Sequence, residues 1–199
     1  QGEYLLFLNN DVEIITENWL EEMLQLCQQK DVGMVGAKLY YPDDTIQHAG
    51  VVVGLGGVAA HVLCKLPRDA EGYMGRLRCV QEISAVTAAC MMVKTSVFKA
   101  VGGFDEELKV AFNDIDLCMK VRKYGVKIVF TPYAELYHYE SKSRGMEDTP
   151  EKQLRFSREV NCFRRKWERE LLKGDPYYNP NLTLNNTDCS LRKQEKNGD

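Results

Sequence analysis

The chain has 199 residues, with 26 Lys and Arg against 29 Asp and Glu and a formal net charge of −3. That length suits one substantial core or at most two small ones, and the balanced charge lacks the basic footprint of a nucleic-acid binder, so no nucleic-acid partner is expected. The longest nearly apolar run, Ile83 to Val93, contains Ser84 and Thr87 and falls short of the ~20 residues that span a bilayer.

The first predicted element is the continuous apolar run Tyr4-Leu5-Leu6-Phe7-Leu8. Such a run predicts a strand buried on both faces of a parallel sheet. It ends in Asn9-Asn10-Asp11, polar residues at the carboxyl end, where open α/β sheets bind ligands. A helix is predicted from about Glu17 to Lys30, capped by Thr16, with Trp19, Leu20, Met23, Leu24 and Cys27 as its apolar stripe. Val32 to Tyr41 reads as a strand closed by the turn Pro42-Asp43-Asp44. Gln47 to Val53 reads as another strand, running into a Gly-rich segment at 54–57. Residues 61–78 show no period and read as a long loop or short helix.

Gln81 to Val93 is strand-like, and Thr95 to Val101 predicts a short helix ended by Gly102-Gly103. A helix starts at Asn113 or Asp114 and reaches Tyr124, with Gly125 as its stop. Val126 to Phe130 predicts a strand stopped by Thr131-Pro132. Thr149-Pro150 opens a long helix that ends at Gly174, with Phe156, Val160, Phe163, Trp167 and Leu171 down one side. Residues 175–199 are polar and aperiodic, and their end is expected to be disordered.

The seven cysteines are scattered, odd in number and form no CxxC pair. That argues against a zinc ribbon or a disulfide framework and makes a reducing cytosol the natural compartment. The opening residues carry no basic-then-apolar leader signature.

Several polar residues could carry chemistry. Asp11 could hold a hard cation such as Mg²⁺ at the end of a strand, with Asn9 as a neutral oxygen partner; the same triplet also reads as a turn. Asp114 and Asp116 lie in a first helical turn, where carboxylates complement the macrodipole. One of them serves the helix start, and the other suits a general base. His138 follows a short apolar run and precedes Ser141-Lys142-Ser143-Arg144-Gly145. That loop has the make-up of a diphosphate clamp, with Arg as a fork and Lys as a point charge. His48 and His61 flank the Gly-rich segment, and His48 could line an acceptor pocket.

Four segments in order resemble the family 2 glycosyltransferases, which have the GT-A fold. Phe7-Leu8-Asn9-Asn10-Asp11 resembles their metal-binding DxD element. Thr87 to Val93 looks like the strand before the acceptor region. Gly102-Gly103-Phe104-Asp105-Glu106 with Asn113-Asp114-Ile115-Asp116-Leu117-Cys118 resembles the GGFDE…EDxDLC block, and His138 with Ser141 resembles HxxS. The run from Pro132 to Ser141 is similar to enzymes that build bacterial O-antigen and related surface polysaccharides.

The resemblance implies an α/β, GT-A-like three-layer mixed sheet with helices on both faces. Residues 1–174 would form the catalytic portion and 175–199 a polar tail. It implies a divalent metal, Mg²⁺ or Mn²⁺, on Asp11 and His138, and Asp114 as the base that deprotonates an acceptor hydroxyl. Asn9, Ser141, Lys142 and Arg144 would contact the donor diphosphate. Asn113, Asp116 and His48 would support the acceptor side. The implied partners are a nucleotide-sugar donor and a saccharide or lipid-linked saccharide acceptor, at the cytoplasm or its membrane face.

Two departures stand out. Asn113 occupies a position where the family often has Glu, and the pattern begins part-way into the family's, so the units that bind the nucleotide base are expected to be missing. A sugar-binding or scaffolding module of the same fold is the alternative. A two-metal phosphoesterase is disfavoured, because clusters of several His and Asp ligands are absent from the sequence.

Overall fold

The computed structural model describes residues 2–139 and 149–193. Nine strands and five α-helices follow one another among these residues. Strands β1 (Tyr4–Leu8) and β2 (Val12–Ile14) precede helix α1 (Trp19–Cys27). Strands β3 (Val32–Tyr40), β4 (Ile46–His48), β5 (Val51–Val53), β6 (Ala59–His61), β7 (Gln81–Glu82) and β8 (Cys90–Lys94) come next. Then follow helices α2 (Thr95–Ala100) and α3 (Asn113–Tyr124), strand β9 (Lys127–His138), and helices α4 (Pro150–Lys166) and α5 (Glu168–Lys173).

The main sheet is seven-stranded and mixed, in the order β1-β8-β3-β9-β2, with β4 added on β3 and β7 on β9. Among the described residues only β3 and β9 run parallel; β1–β8, β8–β3 and β2–β9 are antiparallel. Helices cover both faces, as the resemblance implies. On one face Met23 and Cys27 of α1 bury against Val35, Leu39 and Leu136. On the other, Ile115, Leu117 and Cys118 of α3 and Phe163 of α4 pack with Met34, Tyr40 and Phe130.

Strand β1 departs from expectation. It lies at an edge and pairs antiparallel with β8, and Leu6 and Leu8 are 37% and 41% exposed. An unbroken apolar run therefore does not report two-sided burial here. The long strand buried at every residue is β3; of the others, only the three-residue β4 and β5 are buried throughout among the described residues. The glycines of β3 permit the crowding: a Cβ on Gly36 would stand 2.3 Å from Val86 Cγ1.

Strand β9 also exceeds its predicted length and passes through Pro132. The ladder tolerates this because its register jumps. Gly36 pairs with Phe130 and Lys38 with Glu135, so four residues of β9 oppose Ala37 alone. Proline's missing N–H falls in that bulge, where no ladder bond is required. Strand 47–53 divides at Gly50, whose φ is 101°. The stretch from 81 to 93 keeps strand geometry only at its two ends. The long C-terminal helix breaks at Trp167 (φ −114°, ψ 21°) into α4 and α5.

Residues 175–193 pack on the body of the protein. Tyr178, Leu182 and Cys189 are buried, and the Leu184 and Thr187 carbonyls accept from the amides of Gly56 and Leu63. No helix among the described residues is long and apolar enough to cross a membrane.

Candidate active site

β1 and β2 sit at opposite edges of the sheet, and residues 9–11 carry the chain between them. The antiparallel pairings put that turn beside the carboxyl end of β9: Val12 pairs with His138, and the Asp11 carbonyl accepts from the Tyr139 amide at 2.8 Å. The Asn9 amide, in turn, donates to Ala89 O at 3.0 Å. The Asn-Asn-Asp triplet is thus both a turn and a presenter of side chains to the sheet end.

The His138 ring is fixed from both sides. Gln47 on β4 donates its Nε2 to the His138 carbonyl at 3.1 Å, so its Oε1, 2.7 Å from His138 Nδ1, accepts the ring proton. The His138 lone pair then lies on Nε2, where Asn9 Nδ2 donates at 3.0 Å. Asp11 Oδ1 stands 3.2 Å from that nitrogen and is buried with no hydrogen-bond partner among the described residues. An oriented imidazole lone pair and an orphaned carboxylate oxygen so placed fit a shared cation, since two cis ligands at ~2.1 Å stand ~3 Å apart. A buried polar oxygen without a partner is costly and calls for such an explanation. No group of three or more His, Cys, Asp or Glu side chains able to hold a metal is present among the described residues. A cation here would complete its shell with waters or substrate oxygens, as Mg²⁺ commonly does.

Asp114, at the start of α3, meets the same backbone segment as Asn9: it bonds Ala88, and Asn9 bonds Ala89. Asp114 Oδ2 accepts from the Ala88 amide at 3.1 Å and its Oδ1 from the Ile115 amide at 2.8 Å, while Asn113 Oδ1 accepts from the Asp114 amide at 2.7 Å. Two of the free N–H groups of the first turn are satisfied this way. A carboxylate offers about four acceptor directions, so two such bonds set its plane and leave lone pairs for a substrate proton.

Asp116 points elsewhere. It is fully buried, accepts from Trp167 Nε1 at 2.8 Å and pairs with Lys166 (2.8 Å) and Lys120 (3.3 Å). It holds the α4–α5 junction against α3 and reaches no open surface, so its supporting role is structural. His48 is also fully buried. Its Nε2 accepts weakly from the Thr87 amide (3.4 Å), and its Nδ1 stands 3.1 Å from His61 Nδ1, which also meets the Gln47 carbonyl at 3.0 Å. Burial, then the His61 and His138 rings, hold its pKa well below the usual imidazole value. Enclosed in this way, it braces the Thr87 backbone. Ser141, Lys142 and Arg144 lie outside the described residues.

Residues 1–159 match the model of the family described as glycosyltransferase like family. The chain belongs to that glycosyltransferase-like family. The protein y4gI of Sinorhizobium fredii is 57% identical over 96% of this chain, and the O-antigen biosynthesis protein RfbC of Myxococcus xanthus is 41% identical over all of it. The chain spans about a fifth of the first relative (21%) and 15% of the second. Among solved structures, GalNAc-T7 with UDP, GalNAc and Mn²⁺ covers 86% of the chain and 33% of its own, with a TM-score of 0.58 at 14% identity. At that identity the likeness establishes the fold, which is that of the GT-A glycosyltransferases.

Within this glycosyltransferase-family chain the structure unites Asn9, Asp11 and His138, and joins them to Asp114 and His48 through residues 87–89. Sequence reasoning missed the residues that hold the others. Gln47 carries no signal beyond its place beside His48. Glu159 did carry one. It sits three residues after Phe156 and four before Phe163, on the apolar stripe of α4, where an acid needs partners. It is 3% exposed and accepts from the amides of Lys109, Val110 and Ala111 at 3.0–3.1 Å. Those amides lead directly into Phe112, whose φ is 63°, and the start of α3.

Proposed function

We propose that the protein is a metal-dependent, inverting glycosyltransferase. It moves a sugar from a nucleoside-diphosphate donor to a hydroxyl of a saccharide or lipid-linked saccharide during synthesis of a bacterial surface polysaccharide. The observation that carries this reading is the pairing of Asp11 Oδ1 with His138 Nε2 at 3.2 Å, at the same sheet end as the Asp114 carboxylate. The O-antigen relative supports the pathway, and the Mn²⁺ and UDP of the fold neighbour support the donor class.

Each residue has a separate task. Asp11 and His138 would hold a divalent cation, which neutralises the charge that develops on a departing diphosphate. Gln47 fixes the tautomer that leaves the His138 lone pair on Nε2, and Asn9, whose Nδ2 donates to that lone pair, would yield it to the cation and turn its amide to offer its oxygen. Asp114 takes the proton of the acceptor hydroxyl as its oxygen bonds to the anomeric carbon. The bond from that carbon to the diphosphate oxygen breaks, the electron pair leaves with the nucleoside diphosphate, and attack from the opposite face inverts the centre. Lys142 and Arg144 are assigned to the diphosphate on their chemistry alone. We place the reaction in the cytoplasm or at the cytoplasmic membrane face, supported by seven free cysteines.

Incubating the full-length protein with UDP-, GDP- and dTDP-sugars, with and without Mn²⁺, tests the reading through release of nucleoside diphosphate. Release that requires the metal is expected. Donor binding with no turnover under any condition would assign a sugar-binding module instead.

A further inference from the structure

Side chains alternate along β9, so Glu135 and Tyr137 project opposite to Leu136 and His138. Glu135 opens on a cleft of about 830 Å³ between the end of β3, the turn at 43–45 and the segment 67–78. That volume is within the ~300–1,000 Å³ of a formed ligand site. The glycosyltransferase chemistry at Asp11, His138 and Asp114 does not use it.

The polar wall of the cleft is fixed before any ligand arrives. Tyr40 OH donates a short hydrogen bond to Glu135 Oε1, and Arg68 donates to Glu135 Oε2 at 3.0 Å. Arg68 also reaches Asp44 Oδ1 and Tyr137 OH, both at 3.2 Å, and lies over the Tyr40 ring at 4.8 Å. Tyr137 OH closes the ring of contacts on Asp44 Oδ1 at 2.5 Å. Groups held this way lose little freedom on binding.

The charge pattern selects the ligand class. Asp43, Asp44, Asp69 and Glu135 line the cleft. Lys38, Arg68 and Arg78 answer them. Lys38 is buried and spent on the Leu77 carbonyl at 3.1 Å. A phosphate would meet four carboxylates, and a cation would meet the half-buried Arg68 and the exposed Arg78. A neutral polyhydroxyl ligand meets acceptors and donors in near balance. Tyr133, 53% exposed and beside Pro132, adds an apolar ring face against which a sugar's C–H face can lie.

The position matches. Glu135 and His138, on opposite faces of β9, are three residues apart, about 10 Å at strand rise, and Tyr40 of the cleft wall belongs to the core that holds Ile115 and Cys118 of α3, the helix that carries Asp114. We propose that this cleft is an acceptor subsite that binds a neutral oligosaccharide segment, remote from the hydroxyl that receives the new sugar. The proposal rests on the glycosyltransferase reading above and names where its acceptor is held.

The test is a glycan microarray carrying neutral and anionic bacterial surface oligosaccharides, probed with the full-length protein, Tyr133→Ala and Arg68→Gln. Wild type should retain neutral oligosaccharides, and each variant should lose retention by about tenfold or more, as loss of an anchoring contact does. Circular dichroism checks folding; if Arg68→Gln unfolds, Tyr133→Ala decides alone, because its side chain is half exposed. Variants that retain glycans like wild type, a wild type that retains none, or retention of anionic glycans only would overturn the proposal. Release of nucleoside diphosphate by wild type, measured in parallel, reports on the glycosyltransferase reading separately.

Discussion

Asp114 Oδ2 accepts the amide hydrogen of Ala88 at 3.1 Å. The residues on either side make matching contacts: the Thr87 amide meets His48 Nε2, and the Ala89 carbonyl accepts from the Asn9 amide. Three successive residues thus tie a buried imidazole, the proposed base and the Asn9–Asp11 turn to one backbone segment. The base and the Asp11–His138 pair, far apart in sequence, keep a constant relation because they share that segment.

Asp114→Asn should therefore separate chemistry from architecture. Asparagine can still accept one of the two amide hydrogens through its remaining oxygen, so the fold and donor affinity should stay close to wild type. Transfer should fall by roughly 10²–10⁴-fold, the range for loss of a positioned base. Steady-state transfer by the full-length enzyme, paired with calorimetric donor titration, reads both. A variant that transfers at the normal rate would remove Asp114 from the role of base.

Glu159 is predicted to govern the approach to that base. Its carboxylate holds three consecutive amides, at 109–111, ahead of the αL residue Phe112. Glu159→Ala leaves three donors without their acceptor; Lys109 is exposed and Val110 and Ala111 are half-buried, so water can replace part of the loss and the total cost should be about 1–3 kcal/mol. Amide exchange at Lys109, Val110 and Ala111 should accelerate, and Glu159→Gln should restore part of the protection. Unchanged exchange at these three amides in Glu159→Ala would show that the loop is held by other contacts.

The helices and the order of the site motifs were legible in the sequence, and the strand partners were not. α3 runs over the predicted residues because Gly125, with φ 96°, provides an unmistakable stop. The Tyr4–Leu8 run was misjudged because hydropathy registers apolar content, whereas two-sided burial depends on which strands flank it. Pro132 was read as a strand end because a single sequence does not show the bulge opposite Ala37. At the site, Asp11, His138 and Asp114 carried recognisable motifs. Their supports did not: Ala88 acts through its backbone amide, which has no sequence signature, and Asp116 looked like Asp114 until Trp167 and Lys166 closed over it.

Gly36→Ala probes the packing beneath the site. The added methyl would meet Val86 Cγ1 at 2.3 Å and Val86 Cβ at 2.5 Å. Both are inside van der Waals contact, and Val86 is fully buried, so β3 and the segment leading to Thr87 must separate. Overpacking of this kind costs about 1–3 kcal/mol. Urea denaturation should show a lower midpoint with an unchanged slope. A midpoint equal to that of wild type would mean that residues 83–89 yield without cost.

His48 predicts how stability depends on pH. Burial is the main reason its pKa in the folded protein lies well below the ordinary value, with the His61 and His138 rings adding to it. In the unfolded chain His48 titrates near ~6.5. Below that pH the unfolded state binds a proton that the folded state refuses, so stability is full above pH ~6.5 and is lost as pH falls. For one such group the slope approaches ~1.4 kcal/mol per pH unit until the folded pKa is reached. Carboxylates and the other histidines add slopes of their own, and comparison with His48→Asn removes them. Denaturation curves at pH 7.5, 6.5 and 5.5 should show wild type losing more stability than the variant over the acidic interval, whatever the offset between them at pH 7.5. Parallel losses would mean that His48 gains a proton without unfolding, and that the Thr87 segment tolerates a charged ring beneath it.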